Sequence, residues 1–158
     1  MSDTPLDGYE PVITGKDIEK YSIAPIKRYV RFTPEKFQQC APERLYRAKN
    51  KLFYRFIADE PIVAMDDNGR ISLNSANIIL PKIEGYSSKY IMAVLNSDIM
   101  SFYYKNRFRN FKVLRSCLEQ LPIPICSEKD RAIIEELVDD KDYNTINKKI
   151  ESLFTFPI

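Results

Sequence analysis

The sequence predicts an α+β fold in which a small mixed or antiparallel sheet is followed by helices. Two observations support this prediction. Short apolar stretches separated by turn residues occupy much of the first 80 positions, whereas apolar positions at helical spacing dominate from residue 87 onward. With 158 residues, the chain is also long enough to form one domain with a sizeable core.

The segments before the sheet contain mostly turns and short elements. Residues 1–10 are acidic and polar, and we expect them to form a flexible tail. Residues 11–21 contain a glycine turn and a short polar helix. Apolar alternation over residues 26–32 predicts a half-buried strand, with Arg28 as the exception on its apolar face. Thr33 followed by Pro34 then has the order of a helix start.

The sheet itself is predicted between residues 52 and 80. Residues 52–57 are apolar on both faces apart from one arginine, which is typical of a central strand. Residues 62–65 form a second strand. The sequence Asp-Asp-Asn-Gly at 66–69 predicts a hairpin turn, because Asn-Gly tolerates positive φ at both central positions, and residues 70–74 would return from it.

The helices follow in order. Ser87 or Ser88 caps the first, and the Asn-Ser-Asp sequence at 96–98 ends it and caps the second. Residues 121–125 (Leu-Pro-Ile-Pro-Ile) cannot form a central strand, because two prolines remove two ladder donors. Ser127 has the spacing of a capping box for a third helix, and residues 143–154 predict a final amphipathic helix.

Charge is unevenly distributed along the chain. The net charge is +2, but residues 20–126 carry a balance of +9, residues 1–19 carry −4 and residues 127–158 carry −3. A basic centre between acidic ends favours a polyanionic partner for the middle of the chain.

Other features of the composition argue against a secreted, membrane-spanning or metal-binding protein. The sequence has no histidine and no run of 18 apolar residues, and its acidic start does not resemble a signal peptide. Its three cysteines are scattered and have no zinc-ligand spacing: Cys40, Cys117 and Cys126. We therefore expect a cytoplasmic protein with reduced thiols, no membrane span and no metal.

A basic, aromatic run is the best candidate for contact with DNA. Its five cations lie between residues 103 and 115, with no acid between Asp98 and Glu119. Arginine can bond guanine edges in a bidentate manner, so Arg107 and Arg109 are candidates for base reading, while the other cations are candidates for phosphate contacts. These others are Lys105, Lys112 and Arg115. The alternative is a solvated face whose aromatic side chains belong to the core.

A second basic cluster lies between residues 44 and 55, and its candidate DNA-binding residues are Arg47, Lys49 and Arg55. It could form the other wall of a groove. Ordinary surface charge beside a strand is the alternative for each of these residues.

Two other functions remain open on the residues alone. Paired carboxylates at 59–60 and 66–67 could hold Mg²⁺ in a small metal-dependent nuclease, although both pairs lie at predicted turns, where aspartate is favoured. Exposed aromatic residues and the last two helices could instead form a protein-interaction module.

Four segments carry a family resemblance when they are taken in order. They are Gly-Lys-Asp-Ile-Glu-Lys-Tyr at 15–21, Leu-Phe-Tyr-Arg-Phe-Ile at 52–57, Leu-Asn-Ser at 95–97 and Leu-Glu-Gln-Leu-Pro-Ile-Pro at 118–124. Together they resemble the TaqI-like C-terminal specificity domain of adenine-specific DNA methyltransferases and fused methyltransferase-endonucleases. They resemble the specificity subunits of type I restriction systems more distantly.

The resemblance implies a DNA target-recognition domain at residues 11–126, with C-terminal helices at 127–158 packed on it or on a partner domain. It implies double-stranded DNA as a ligand and a methyltransferase catalytic domain, in cis or in trans, as a partner. The sequence contains neither a Gly-rich cofactor loop nor the Asn-Pro-Pro-Tyr segment of the resembled enzymes. We therefore expect a chain that binds no cofactor and is not an enzyme on its own.

Overall fold

A computed structural model describes residues 1–154, and within them the chain forms an α+β fold, as predicted. The strands are β1 (Glu10–Ile13), β2 (Ile18–Glu19), β3 (Ser22–Ile23), β4 (Tyr29–Val30), β5 (Lys51–Arg55), β6 (Val63–Asp66), β7 (Ile71–Ser72) and β8 (Ala76–Ile79). The helices are α1 (Glu43–Tyr46), α2 (Ser88–Asn96), α3 (Asp98–Phe108), α4 (Arg115–Leu118), α5 (Glu128–Asp139) and α6 (Tyr143–Leu153).

The strands form two three-stranded sheets and one small hairpin. Strand β5 is central in the antiparallel order β6-β5-β8, which confirms the prediction of a buried central strand. Strand β1 pairs with β4 in antiparallel and with β7 in parallel orientation. The β1 sheet is therefore mixed, the β5 sheet is antiparallel, and β2 and β3 form the two-stranded hairpin.

The prediction of a hairpin at residues 66–69 is wrong. The returning segment does not pair with β6; its strand β7 pairs with β1 instead. Only Gly69 has a positive φ in this turn, so the conformation that Asn-Gly favours at both central positions does not form. The Asp66 carboxylate accepts a hydrogen bond from the backbone N–H of Arg70 at 3.0 Å, and this bond shapes the turn.

The strand predicted over residues 26–32 is shorter than expected. Only Tyr29 and Val30 pair with β1, and Pro11 lies in the paired segment without an N–H to donate. On its other side, Tyr29 exchanges two backbone hydrogen bonds with Ser2, at 2.9 and 2.8 Å. The predicted tail at residues 1–10 is therefore held by Tyr29 and also by Arg31, which donates to the Asp7 carbonyl at 3.4 Å, and its last residue begins β1.

The helix boundaries follow their local signals. The hydroxyls of Ser87, Ser97 and Ser127 accept hydrogen bonds from backbone N–H groups in the first turns of α2, α3 and α5. Residues 121–125 form no strand, which agrees with the prediction that they cannot be a central one. Their fourth member, Pro124, is buried, and its carbonyl accepts a hydrogen bond from the Tyr90 hydroxyl at 2.8 Å.

The main core lies between the β5 sheet and the helices. Leu52 from β5, Tyr90 from α2 and Ile134 from α5 all belong to it, together with Ile146 and Ile150 from α6. The C-terminal helices thus pack on α2 and α3. Within the described residues, no helix is both long and apolar enough to cross a membrane.

Candidate nucleic-acid interface

The predicted basic run is divided between the end of helix α3 and the loop that follows it. Helix α3 carries Lys105 and Arg107 and ends where Arg109 adopts left-handed backbone angles, with φ 48°. The second half of the loop that follows is held by two hydrogen bonds. The Tyr104 hydroxyl donates to the Lys112 carbonyl at 3.3 Å, and the buried Val113 donates its N–H to the Phe56 carbonyl at 2.8 Å.

Two of the five cations are engaged with carboxylates. The Lys105 amine lies 3.0 Å from Glu60 and 3.7 Å from Asp59, and hydrogen bonding to Glu60 raises the pKa of Lys105. The Arg115 guanidinium donates to Glu119 at 2.7 Å, although its side chain is otherwise exposed. These two residues can reach an anion only in competition with an acidic neighbour.

The other three cations are not ion-paired within residues 1–154. Arg107 and Arg109 are exposed, and the Arg107 guanidinium lies over the adjacent Phe108 ring at 5.5 Å. Lys112 is exposed and lies 5.7 Å from the centroid of the Phe56 ring. The residues chosen for base reading are therefore both presented to solvent at the end of α3.

The second basic cluster has mainly intramolecular roles. Arg47 donates two hydrogen bonds to Glu10, at 2.6 and 2.9 Å, and one to the Gly69 carbonyl at 2.8 Å. Hydrogen bonding to Glu10 raises the pKa of Arg47. Lys49 donates to the Asp67 carbonyl at 3.2 Å. Contact between these residues and DNA remains a prediction. For Arg47, the bonds to Glu10 and Gly69 already explain why a basic residue lies at this position.

Arg55 has a comparable structural role. It donates to the carbonyls of Gly15 and Ile18, and the bond to Gly15 is 2.9 Å long. Its guanidinium thus joins the end of β5 to the segment between β1 and β2. Sequence reasoning could not distinguish this partner from DNA, because the partner lies about 40 positions away in the chain.

A groove between the two basic segments does exist, although the cations of the second cluster do not line it. A cleft of 490 Å³ is bordered by Tyr46 of α1 on one side and by Arg115 on the other, with Tyr54 and Asn77 also among its lining residues. An adjoining, more apolar cleft of 440 Å³ shares Leu45, Tyr54, Ile78 and Arg115 with it. Of the eight predicted DNA-binding residues, Arg115 alone lines either cleft.

Two cations and one exposed aromatic residue were not among the DNA-binding residues predicted from the sequence. Lys16 and Arg28 line a third cavity, of 390 Å³, together with Arg55 and Ile57. Phe111, at the tip of the loop after α3, is 85% exposed. Two features of the sequence could have identified these residues. Arg28 interrupts an apolar face, and Phe111 lies between basic residues.

Three of the four carboxylates considered for a metal site have basic partners, and the fourth, Asp67, accepts a hydrogen bond from the Asn50 N–H at 2.7 Å. Glu60 bonds both Lys20, at 2.8 Å, and Lys105. Asp66 is buried against the amine of Lys51, which is itself buried, and burial lowers the pKa of that lysine. Within residues 1–154, no three cysteine, aspartate or glutamate side chains are arranged to hold a metal ion.

The segment at residues 15–21 owes its composition to packing. A Cβ atom on Gly15 would lie 2.4 Å from the Ser75 carbonyl oxygen, so only glycine permits this approach. The Asp17 carboxylate accepts hydrogen bonds from the N–H and hydroxyl of Thr14, both at 2.7 Å. Tyr21 has φ 69° and stacks on Tyr143 of α6 at 4.3 Å, which ties this segment to the last helix.

The Leu-Asn-Ser segment also has a specific structural role. The buried Asn96 amide donates to the Val63 carbonyl at 2.8 Å and accepts from the Val63 N–H at 2.9 Å. Its side chain thus occupies the place of a neighbouring strand beside β6. Ser97 accepts from the Met100 N–H and donates to the Val94 carbonyl at 2.7 Å, which separates α2 from α3.

Comparison with known protein families gives a match that includes these segments. The sequence model of the TaqI-like C-terminal specificity domain matches residues 10–123, which is more than two thirds of the chain. The match includes β1, all of the β5 sheet, the Leu-Asn-Ser junction and the basic end of α3. No curated protein gives a significant match. The chain belongs to the family of TaqI-like C-terminal specificity domains, the DNA target-recognition domains of restriction-modification enzymes.

Proposed function

We propose that this chain is the sequence-specific DNA-recognition part of an adenine-specific DNA methyltransferase, or of a fused methyltransferase-endonuclease, and that catalysis resides in a different domain, in cis or in trans. The family match over residues 10–123 carries the proposal. The free cations at the end of α3 add to it, because they lie within the matched region and are presented to solvent.

In this proposal, Arg107 and Arg109 read base edges in the major groove. Both are exposed and neither has an acidic partner within residues 1–154, so their guanidinium groups are free to bond a base in a bidentate manner. Lys112 contacts a phosphate and fixes the register of the domain on the duplex. Lys105 and Arg115 contribute more weakly, since DNA must compete with Glu60 and Glu119 for them.

The partner catalytic domain would supply the cofactor and extrude the target base. We therefore assign no catalytic residue to this chain. The intramolecular bonds of Glu60 and Asp66 give no support to the nuclease alternative, since these carboxylates already neutralise lysines.

The test is DNA binding by single variants. Because the target sequence is not known, a preferred duplex is first selected from a randomised library with the unmodified chain. Arg107→Ala and Arg109→Ala are expected to lose roughly 1–3 kcal/mol on the selected duplex and much less on a scrambled one. Lys112→Ala should weaken binding to both duplexes alike and lower the salt slope by about one unit.

Lys129→Ala is the matched control, because it removes one exposed cation from helix α5, outside the family match. It is expected to bind like the unmodified chain. If the chain selects no sequence from the library, or if Arg107→Ala and Arg109→Ala both behave like the control, the proposed function is wrong.

A further inference from the structure

A cavity beside the predicted interface gathers three cations from distant parts of the sequence. It has a volume of 390 Å³ and is lined by Lys16, Arg28 and Arg55, together with Thr14 and Ser75. No carboxylate is among its lining residues within the described chain. Three positive charges around one opening, with hydroxyl groups between them, favour an anion.

The walls of this cavity are fixed by close contacts. The Gly15 N–H donates to the Ser75 hydroxyl at 2.9 Å, and the absence of a side chain on Gly15 lets the two backbones touch. Arg55 donates to the Gly15 carbonyl at 2.9 Å and to the Ile18 carbonyl. Arg55 therefore builds the wall, and two of its five N–H donors are used within the protein.

Lys16 and Arg28 retain a larger share of their donors than Arg55 does. Lys16 is exposed, and Arg28 makes one long hydrogen bond, to the Thr14 hydroxyl at 3.4 Å. Neither is ion-paired with any carboxylate of residues 1–154. Both can therefore contact an external anion without breaking an existing salt bridge.

Two consecutive residues directly after β5 link the cavity to the basic loop. Ile57 is 57% exposed and lines the cavity. Its neighbour Phe56 contacts the loop, since its carbonyl accepts the Val113 N–H at 2.8 Å and Lys112 lies over its ring. Phe56 and Ile57 thus connect the cavity to the loop that carries Lys112.

We propose that Lys16 and Arg28 bind a phosphate of the DNA backbone at this cavity, as a second anchoring point beside the basic end of α3. The proposal rests on the proposed function, because it assigns these cations to the same duplex. Two phosphate contacts on either side of Phe56 and Ile57 would fix the orientation of the domain as well as its register. Ile57 itself would then lie against the DNA.

The first measurement is the salt dependence of DNA binding. Lys16→Ala and Arg28→Ala should each lower the slope of log K against log salt by about 0.9, and the double variant by about 1.8, on selected and scrambled duplexes alike. Lys36→Ala, which removes an exposed cation outside the cavity, is the control and should leave the slope unchanged. Thermal unfolding of each variant checks that it is folded, and the exposed Lys16 keeps the test valid if Arg28→Ala is unstable.

The second measurement uses the absence of tryptophan from the sequence. Ile57→Trp places the single tryptophan of the chain at the cavity, and its emission, excited selectively over that of the ten tyrosines, should change on DNA binding. Ile125→Trp is the matched control, because Ile125 is 89% exposed and lies after the family match. Its emission should not change.

The outcomes separate this inference from the proposed function. If the chain does not bind DNA at all, both are wrong. If it binds DNA and loses affinity in Arg107→Ala, while the Lys16 and Arg28 variants keep the unmodified salt slope, the second anchoring point alone is wrong. If Ile57→Trp responds equally to inorganic phosphate without DNA at the same ionic strength, the cavity binds a free anion, and its assignment to DNA is overturned.

Discussion

Replacing Asn96 should reveal how much the Leu-Asn-Ser segment stabilises the fold. Its amide makes both hydrogen bonds that a neighbouring strand would make with Val63, at 2.8 and 2.9 Å, and the side chain is buried. In Asn96→Ala the Val63 N–H loses its partner. The Val63 carbonyl is less affected, because it also accepts the Tyr21 N–H at 2.9 Å.

One buried, unsatisfied N–H costs roughly 1–3 kcal/mol, and the space left by the amide adds to this. We therefore expect Asn96→Ala to lower the free energy of unfolding by about 2–3 kcal/mol. This is a large fraction of the roughly 5–15 kcal/mol that stabilises a typical domain. Asn106→Ala is the control: Asn106 lies in the adjacent helix and bonds one backbone carbonyl from an exposed position, so its loss should cost about 0.5 kcal/mol or less.

Asn96→Asp adds a test that depends on pH. The carboxylate can still accept the Val63 N–H, but its other oxygen faces the Val63 carbonyl unless it is protonated. Burial and this carbonyl should therefore raise the pKa of the new carboxyl in the folded state. A raised pKa means that the folded state binds more protons, so the variant should lose stability as pH rises above about 4, relative to the unmodified chain.

Urea unfolding at pH 4.5 and pH 7.5 measures both effects, with the difference from the unmodified chain taken at each pH. Asn96→Asp should be closer to the unmodified chain at pH 4.5 than at pH 7.5. A cost below about 0.5 kcal/mol for Asn96→Ala, or a pH-independent cost for Asn96→Asp, would refute the strand-like role of this side chain.

Three further predictions concern charge and cofactor. Burial opposes ionisation of Glu60, but hydrogen bonds from two lysines and a serine outweigh it and lower its pKa to about 2 from the ordinary 4.5. Its contribution to stability is therefore present above pH 4.5 and is lost as pH falls toward 2, so Glu60→Gln should flatten the pH dependence of urea unfolding in that window. Arg47→Ala should lower the free energy of unfolding by about 1 kcal/mol, since its ion pairs are partly exposed, and a fall in the salt slope of DNA binding would show that Arg47 also contacts DNA, as the sequence predicts. Calorimetric titration with S-adenosylmethionine should show no saturable binding to this chain. Tight binding would contradict the proposal that a separate catalytic domain supplies the cofactor.

Features with local causes were predictable from the sequence. The serine caps at 87, 97 and 127 act within three residues of their partners, and each one is found at the start of its helix. The central strand β5 was visible because burial on both faces leaves a continuous apolar run. These predictions needed no knowledge of distant residues.

Features with distant partners were not predictable. Strand β7 is a short segment that pairs with β1 about 60 residues earlier, and nothing in its own sequence indicates that partner. The same limit explains the second basic cluster, in which Arg47 is paired with Glu10 and Arg55 with backbone carbonyls near Gly15. A basic side chain has the same sequence signature whether its partner is a carboxylate, a carbonyl or DNA.

The stack of Tyr21 on Tyr143 bears on the smallest part of this chain that can fold independently. The family match ends at residue 123, yet this stack and the buried side chains of Ile134, Ile146 and Ile150 join α5 and α6 to the same core. A fragment cut at the family boundary would uncover a broad apolar surface on α2 and α3 and would tend to aggregate. Domain swaps designed to transfer target specificity should therefore exchange the segment through residue 153, so that both helices remain with α2 and α3, on which they pack.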